Sequence, residues 1–330
     1  MKEGLILNET KNIVITEALK QRFCKDMNLS IRIFEEPYFT NFLKLYDEQY
    51  NSVAKYNRFM SAVYSFGSEQ NYFEAYNKLK DDIIEYLNNN TEMLFFAKEE
   101  DMNKFTCQNK NYPAKDIFKE TNDGKFFVSI DMIKGNFTAL HHYNPNIVKN
   151  CNTYEDFIRT FTDIPHFVES KYIRQVVFGN VNPKRQVTYE KYLMDQILTK
   201  LFETGIIKPE NIEFFSTDEI VFSVPENMVN NKIVDETFYE TVMNVVQWAR
   251  NNNINVRGEF FELRKIPGTS GYVKKFMMDK NGVDFKCLDA LTLPFVLRAY
   301  QKEEPNDMDK VFLYEGKKVM LLENIDVKVV

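Results

Sequence analysis

The sequence predicts an α+β fold in which a helical N-terminal lobe precedes a sheet domain and a small C-terminal region. Three observations predict it. Apolar residues recur every three or four positions in the first quarter, short apolar runs typical of strands begin after residue 124, and a polar stretch at 99–124 separates the two patterns. We therefore place the three units at 1–110, 111–280 and 281–330.

The composition is that of an ordinary globular chain. Of its 330 residues, 44% are hydrophobic and 27% charged, which argues against disorder, and no apolar run reaches the roughly 18 residues of a membrane span. The net charge of −6 argues against nonspecific coating of nucleic acid, but is compatible with a local basic groove. The four cysteines are widely separated and only three histidines are present, so we expect reduced thiols and no structural zinc. Reduced thiols predict a cytoplasmic location, which would be the host cytoplasm if the protein is virus-encoded.

Two amphipathic helices are predicted in the N-terminal lobe. Six aromatic or apolar residues from Phe39 to Val53 share one helix face, and six more from Tyr72 to Leu87 repeat the spacing before the asparagine run 88–90. We interpret both stripes as core. The alternatives are a platform on which bases stack and a surface for a protein partner.

The middle region alternates strands and helices. The predicted order is a strand at 125–131, helices from Thr153 and from Thr188, a hairpin of strands 213–215 and 220–224, a helix from Asp235, and strands at 255–266 and 272–278. A helix near 288–300 and a strand pair at 311–314 and 318–322 complete the chain. The order β-α-β-β-α-β is the plan of a ferredoxin-like sheet.

Three acids fall where this plan brings strand ends together. Asp131 ends the first strand, and Asp218 and Glu219 lie in the hairpin turn that such a sheet places beside it. Carboxylates on neighbouring strands can hold two divalent ions, the arrangement that stabilises the attacking and leaving oxygens in phosphoryl transfer. Mg²⁺ is the expected cofactor because it is hard and prefers oxygen, with Mn²⁺ as a substitute.

On these residues the chain resembles the palm domain of reverse transcriptases and RNA-dependent RNA polymerases. Residues 127–137 are similar to the first motif of that family and residues 215–222 to its third, while residues 178–186 resemble the loop that opens the second-motif helix. The similarity covers about residues 125–278. The chain departs from the family in having Glu219 instead of a second Asp, and Ser-Thr in place of the aromatic residue before the acids.

The resemblance implies a template-directed polymerase that joins nucleotides from nucleoside triphosphates along a nucleic-acid primer or template. Asp131, Asp218 and Glu219 would be its catalytic metal ligands, with Glu219 assisting the two aspartates. Asn136 lies at the family's sugar-sensing position, where an amide would tolerate ribonucleotides, unless Phe137 takes the place of the usual ring.

Basic residues are distributed as the resemblance requires. The candidates for the triphosphate are Lys134, Arg174, Lys184 and Arg185. The candidates for the nucleic-acid backbone are Arg257, Arg264, Lys265, Lys274 and Lys275, unless these simply form a solvated face.

Two alternatives stay open. The pair Asp218-Glu219 also resembles half of the Gly-Gly-Asp-Glu-Phe hairpin of nucleotidyl cyclases, which share the palm plan and the two-metal chemistry, although the two glycines are absent here. Acids in a turn or at a strand end are also ordinary local chemistry. A non-catalytic structural or interaction protein is therefore the third hypothesis.

Overall fold

The chain is a mixed α+β protein whose main sheet has six antiparallel strands. It is described by a computed structural model over residues 13–98, 102–114, 117–180, 183–278 and 282–330. The predicted α+β class is confirmed. Along the described ranges no helix is both long enough and apolar enough to cross a bilayer.

The N-terminal lobe is helical, as predicted. Its helices are α1 (Glu17–Met27), α2 (Tyr38–Leu45), α3 (Asp47–Tyr50), α4 (Ser52–Phe66), α5 (Glu69–Asn89) and α6 (Thr91–Lys98). The stripe from Tyr72 to Leu87 is buried on α5 and forms core. The prediction of one helix over 39–53 was wrong, because Asn51 adopts a left-handed conformation (φ 51°) and α4 starts anew after it.

The strands of the six-stranded sheet are β1 (Phe126–Met132), β2 (Ile212–Phe215), β3 (Glu219–Ser223), β6 (Val256–Lys265), β7 (Tyr272–Phe276) and β8 (Val283–Lys286). Their order across the sheet is β2-β3-β1-β6-β7-β8. A separate pair is formed by β4 (Val229–Asn230) and β5 (Ile233–Val234). The predicted hairpin is formed by β2 and β3. The edge strand β8 was not predicted, because four residues carry too short an alternation to be detected.

Helices connect the strands of the sheet. They are α7 (Gly135–Tyr143), α8 (Tyr154–Arg159), α9 (Pro165–Glu169), α10 (Lys171–Gly179), α11 (Pro183–Glu203) and α12 (Glu236–Asn251). The predicted helix starts at Thr153 and Asp235 are confirmed: both residues are N-caps, and their side chains accept hydrogen bonds from Asp156 N (3.1 Å) and Phe238 N (3.0 Å). The predicted start at Thr188 was wrong: α11 begins at Pro183, where the missing N–H costs nothing.

The two faces of the sheet differ. Val128 and Ile130 point into the main core on the face covered by α11 and α12. Side chains alternate along a strand, so Phe127 points the other way, into a smaller apolar cluster that includes Ile117 and Phe261. Helices therefore cover one face, and the segment around Ile117 covers only part of the other.

The C-terminal region packs back on the N-terminal lobe. It contains α13 (Leu293–Gln301), β9 (Val311–Tyr314) and β10 (Lys317–Met320). Asn41 Nδ2 donates to Asp309 Oδ1 (2.8 Å), and Arg298 Nε donates to Asp309 Oδ2 (2.9 Å). One cluster of buried residues runs from Leu19 to Val311, so the predicted units 1–110, 111–280 and 281–330 are joined by a shared core.

Candidate functional site

The acids predicted from the strand pattern meet at one end of the sheet. Asp131, near the end of β1, lies directly opposite Glu219, the first residue of β3. Directly opposed residues of an antiparallel pair point to the same face with Cβ atoms about 5 Å apart. The backbone of the turn is joined to β1 as well, because Met132 N donates to Asp218 O (2.7 Å).

The side chains of the turn differ from each other in direction. Glu219 lies on the open face of the sheet, where Ser129 Oγ donates to its Oε1 (2.6 Å). Asp218 is exposed, and its Oδ1 accepts from Ser216 Oγ (3.2 Å). Glu219 is therefore the residue of the pair that faces Asp131, whereas the sequence suggested that it would only assist Asp218.

Each of the two opposed carboxylates has a basic partner from a later strand. Arg257 on β6 lies opposite Asp131, and its Nη2 is 2.9 Å from Asp131 Oδ2. Lys274 on β7 faces Glu219. Its Nζ lies over the ring of Phe261, 4.6 Å from the ring centroid, and 3.9 Å from Glu219 Oε1. Two of the five residues predicted to contact nucleic acid thus lie at the acids.

The electrostatics of the site favour a cation. Burial raises the pKa of Asp131 to about 6; Arg257 acts to lower this pKa, whereas Glu219, Asp218 and Glu259 raise it further. Three neighbouring carboxylates thus oppose the single arginine at Asp131. A divalent ion placed between the carboxylates would relieve this repulsion.

These residues line a cleft of about 270 Å³ on the open face of the sheet. Its apolar wall is formed by Ile117, Phe118, Phe214 and Val221. Its charged lining is formed by Asp131, Glu219, Arg257, Glu259, Lys274, Asp284 and Lys286. The cleft therefore presents both signs of charge beside a hydrophobic surface, which suits a ligand with an apolar ring and anionic groups.

The donor types in the cleft fit Mg²⁺, which prefers carboxylate oxygens. The arrangement is not that of a closed metal cage, because in the described ranges no three His, Cys, Asp or Glu side chains are disposed to hold one ion. Asp131 is turned to Arg257, and Asp218 to Ser216. Asp131 and Glu219 are the two carboxylates of the cleft that would hold a metal, and in this structure each faces a basic side chain.

The candidates that follow Asp131 lie around the start of α7. Lys134 precedes the helix in a left-handed conformation (φ 52°) and pairs with Glu155. Asn136 Nδ2 donates to Gln186 Oε1 (2.9 Å) and to Glu190 Oε1 (2.8 Å) on α11. These two acceptors take the amide hydrogens and leave Asn136 Oδ1 as an acceptor.

The ring of Phe137 is buried, with only 4% of the residue exposed. It packs against Tyr154 and Phe157, with ring centroids 6.3 and 6.4 Å away. The neighbouring Asn136 is more exposed. Of these two residues Asn136 is thus better placed to meet a ligand.

The other triphosphate candidates lie along α10 and α11. Arg174 is half-buried with its guanidinium 5.8 Å from the ring centroid of Tyr154, and burial lowers its pKa. Lys184 is exposed in the first turn of α11, and Arg185 beside it is half-buried. Residues 181 and 182, in the loop that resembles the second motif, lie outside the described residues.

The remaining basic candidates do not reach the acids. Arg264 pairs with Asp123 (3.1 Å) and lies seven residues beyond Arg257 on β6, about 23 Å along the strand. Lys265 Nζ donates to the backbone of Thr269 (2.6 Å). Lys275 follows Lys274 on β7 and so points to the opposite face of the sheet.

Sequence reasoning missed Glu190, which reaches the region of the site from α11. Its side chain is buried. Burial and, to a smaller extent, the charge of Asp218 raise the pKa of Glu190 to about 7, whereas the hydrogen bond from Asn136 acts to lower this pKa. Gln186 and Glu190 are spaced i, i+4 within the buried face of α11. A polar pair within a buried face was the signal that could have indicated them.

No protein-family model matches this chain, and no similar curated protein or solved structure was found.

Proposed function

We propose that this chain is a metal-dependent nucleotidyltransferase with a palm-like, ferredoxin-type sheet, which joins nucleotides from nucleoside triphosphates on a nucleic-acid primer or template. The observation that carries the proposal is the register that sets Asp131 opposite Glu219, with Asp218 in the adjoining turn. The strand order β2-β3-β1-β6, with crossover helices on one face, supports the same plan.

The residues have separate roles in this proposal. Asp131 and Glu219 would hold Mg²⁺, with Asp218 assisting from the adjoining turn, and the ion would stabilise charge on the attacking and leaving oxygens. Lys184 and Arg185 would neutralise the triphosphate. A primer 3′-hydroxyl would attack the α-phosphorus, forming a new O–P bond and releasing pyrophosphate.

Asn136 supports a preference for ribonucleotides in this reaction. Gln186 Nε2 donates to Phe178 O (3.1 Å), which turns Gln186 Oε1 towards Asn136 and fixes the direction of the Asn136 amide. The Asn136 carbonyl oxygen is then the atom left to accept a hydrogen bond from a ribose 2′-hydroxyl. A 2′-deoxyribose lacks that donor.

The proposal is tested by primer extension with Mg²⁺ or Mn²⁺ and each nucleoside triphosphate. Asp131→Ala should lower the rate of primer extension at least about 100-fold. The reason is that the metal held by the Asp131 carboxylate would stabilise the transition state by several kcal/mol. Asp123→Asn, which changes an aspartate outside the cleft, is the matched control. Full turnover by Asp131→Ala would refute the proposal.

A nucleotidyl cyclase is the second candidate, because the opposed pair contains Glu219 and the resemblance to cyclases runs through the same Asp-Glu pair. The two functions differ in product. A cyclase needs only the triphosphate and releases a small cyclic nucleotide, whereas a polymerase requires a primer and yields a ladder. Neither product, together with no metal-dependent shift of the melting temperature with triphosphate, would favour a non-catalytic protein.

A further inference from the structure

Two ion pairs bridge the sheet at the candidate site. Arg257 Nη2 lies 2.9 Å and its Nε 3.0 Å from Asp131 Oδ2, while Lys274 Nζ lies 3.9 Å from Glu219 Oε1. The acids to which the proposed function assigns a metal therefore already face cations supplied by the chain itself.

A carboxylate oxygen cannot serve both its basic partner and a divalent ion without bringing like charges together. Two positive centres a few ångströms apart repel strongly in a partly buried cleft. The side chain of Arg257 is 55% exposed, so it is free to swing away from Asp131. Lys274 Nζ lies over the ring of Phe261, 4.6 Å from its centroid, and at 3.9 Å it is too far from Glu219 Oε1 for a hydrogen bond, so a small displacement takes it off that carboxylate.

Among the described residues that line the cleft, the acids left for the released cations are Glu259 and Asp284, and each already has a basic partner. Arg257 also contacts Glu259, with 3.3 Å between its Nε and Oε1, and Asp284 is paired with Lys286 at 2.9 Å. A multiply charged anion that binds together with the metal would supply negative charge for Arg257 and Lys274, because arginine and lysine both bind phosphate oxygens.

We infer that Arg257 and Lys274 exchange partners when the site fills: they hold Asp131 and Glu219 in the free protein, and they bind the polyphosphate of a metal–polyphosphate ligand once the metal takes the two carboxylates. The inference rests on the proposed function for the identity of that ligand. The exchange would couple the two binding events positively. Bound metal releases the two basic side chains for the polyphosphate, and bound polyphosphate releases the two carboxylates for the metal.

The first experiment measures Mn²⁺ binding alone by isothermal titration calorimetry, with no phosphate present. Arg257→Gln removes the competing cation and should bind Mn²⁺ about fivefold or more tightly than the unaltered protein. Arg264→Gln is the matched control: it removes an arginine from the same strand, about 23 Å away, and should leave the Mn²⁺ affinity unchanged.

The second experiment measures pyrophosphate binding alone, with a chelator present. Asp131→Asn should bind pyrophosphate more tightly than the unaltered protein, because Arg257 is released, whereas Arg257→Gln should bind it more weakly. The double variant Asp131→Asn/Arg257→Gln tells whether tighter pyrophosphate binding comes from the released arginine or only from the lost negative charge. If the partner exchange is correct, the double variant does not show the higher pyrophosphate affinity of Asp131→Asn.

The outcomes separate this inference from the proposed function. If the unaltered protein binds Mn²⁺ and Arg257→Gln binds it equally well or more weakly, the exchange is wrong and the metal site stands. If the double variant keeps the full gain in pyrophosphate affinity, the exchange is also wrong. If neither the unaltered protein nor Arg257→Gln binds Mn²⁺, both proposals fall.

Discussion

Asp131→Asn should stabilise the metal-free protein at neutral pH. The pKa of Asp131 rises from 3.8 to about 6 in the folded chain, chiefly through burial. At about 1.4 kcal/mol per pKa unit, keeping this carboxylate ionised in the folded state costs about 3 kcal/mol of unfolding free energy. Asparagine has nearly the same shape and carries no charge, so it removes that cost.

The sign of the pH dependence follows from which state holds the proton. Between about pH 4 and pH 6 the folded protein keeps the proton on Asp131 while the unfolded chain has lost it, so stability falls as the pH rises. The advantage of Asp131→Asn should therefore be absent below about pH 4, grow through this window, and reach its full size above about pH 6.

Urea unfolding from pH 4 to pH 8 with a chelator present measures the effect. Asp123→Asn is a control of opposite sign: the backbone N–H of Lys265 and the guanidinium of Arg264 hold the pKa of Asp123 below its usual range. This variant should lose stability at neutral pH, and the loss should stay nearly constant down to about pH 4, because the pKa of Asp123 lies below that value in the folded chain. An Asp131→Asn variant no more stable than the unaltered protein at pH 7.5 would refute the reasoning.

Three further predictions concern the rest of the fold and the site. Asp26→Ala should cost about 3–5 kcal/mol in urea unfolding, because the fully buried Asp26 pairs with Arg22 (3.1 Å) and accepts from Tyr76 Oη (2.6 Å); a cost below about 1 kcal/mol would contradict this. Glu190→Gln should stabilise the protein at pH 8 and leave it unchanged at pH 4, because the pKa of Glu190 is raised to about 7; a gain of equal size at both values would show that its charge is not the cause. Asn136→Leu should lower kcat/KM about tenfold for ribonucleoside triphosphates and leave that for 2′-deoxy substrates unchanged; an equal loss for both would exclude recognition of the 2′-hydroxyl.

The sequence by itself determined the local features of the fold. The amphipathic stripe of α5, the caps Thr153 and Asp235, and the β2–β3 hairpin each depend on residues within a few positions of one another. The break at Asn51 could not be predicted in this way, because the apolar spacing continues across the left-handed backbone conformation of Asn51.

Tertiary structure alone decided which basic residues reach the acids and which acid of the turn faces Asp131. The contact of Arg257 with Asp131 spans 126 positions of the chain and depends on the register of β1 with β6. The register of β1 with β3 likewise set Glu219, rather than Asp218, opposite Asp131. A shift by one residue would turn every side chain of a strand to the other face, so a pattern that predicts the strands still leaves the composition of the site open.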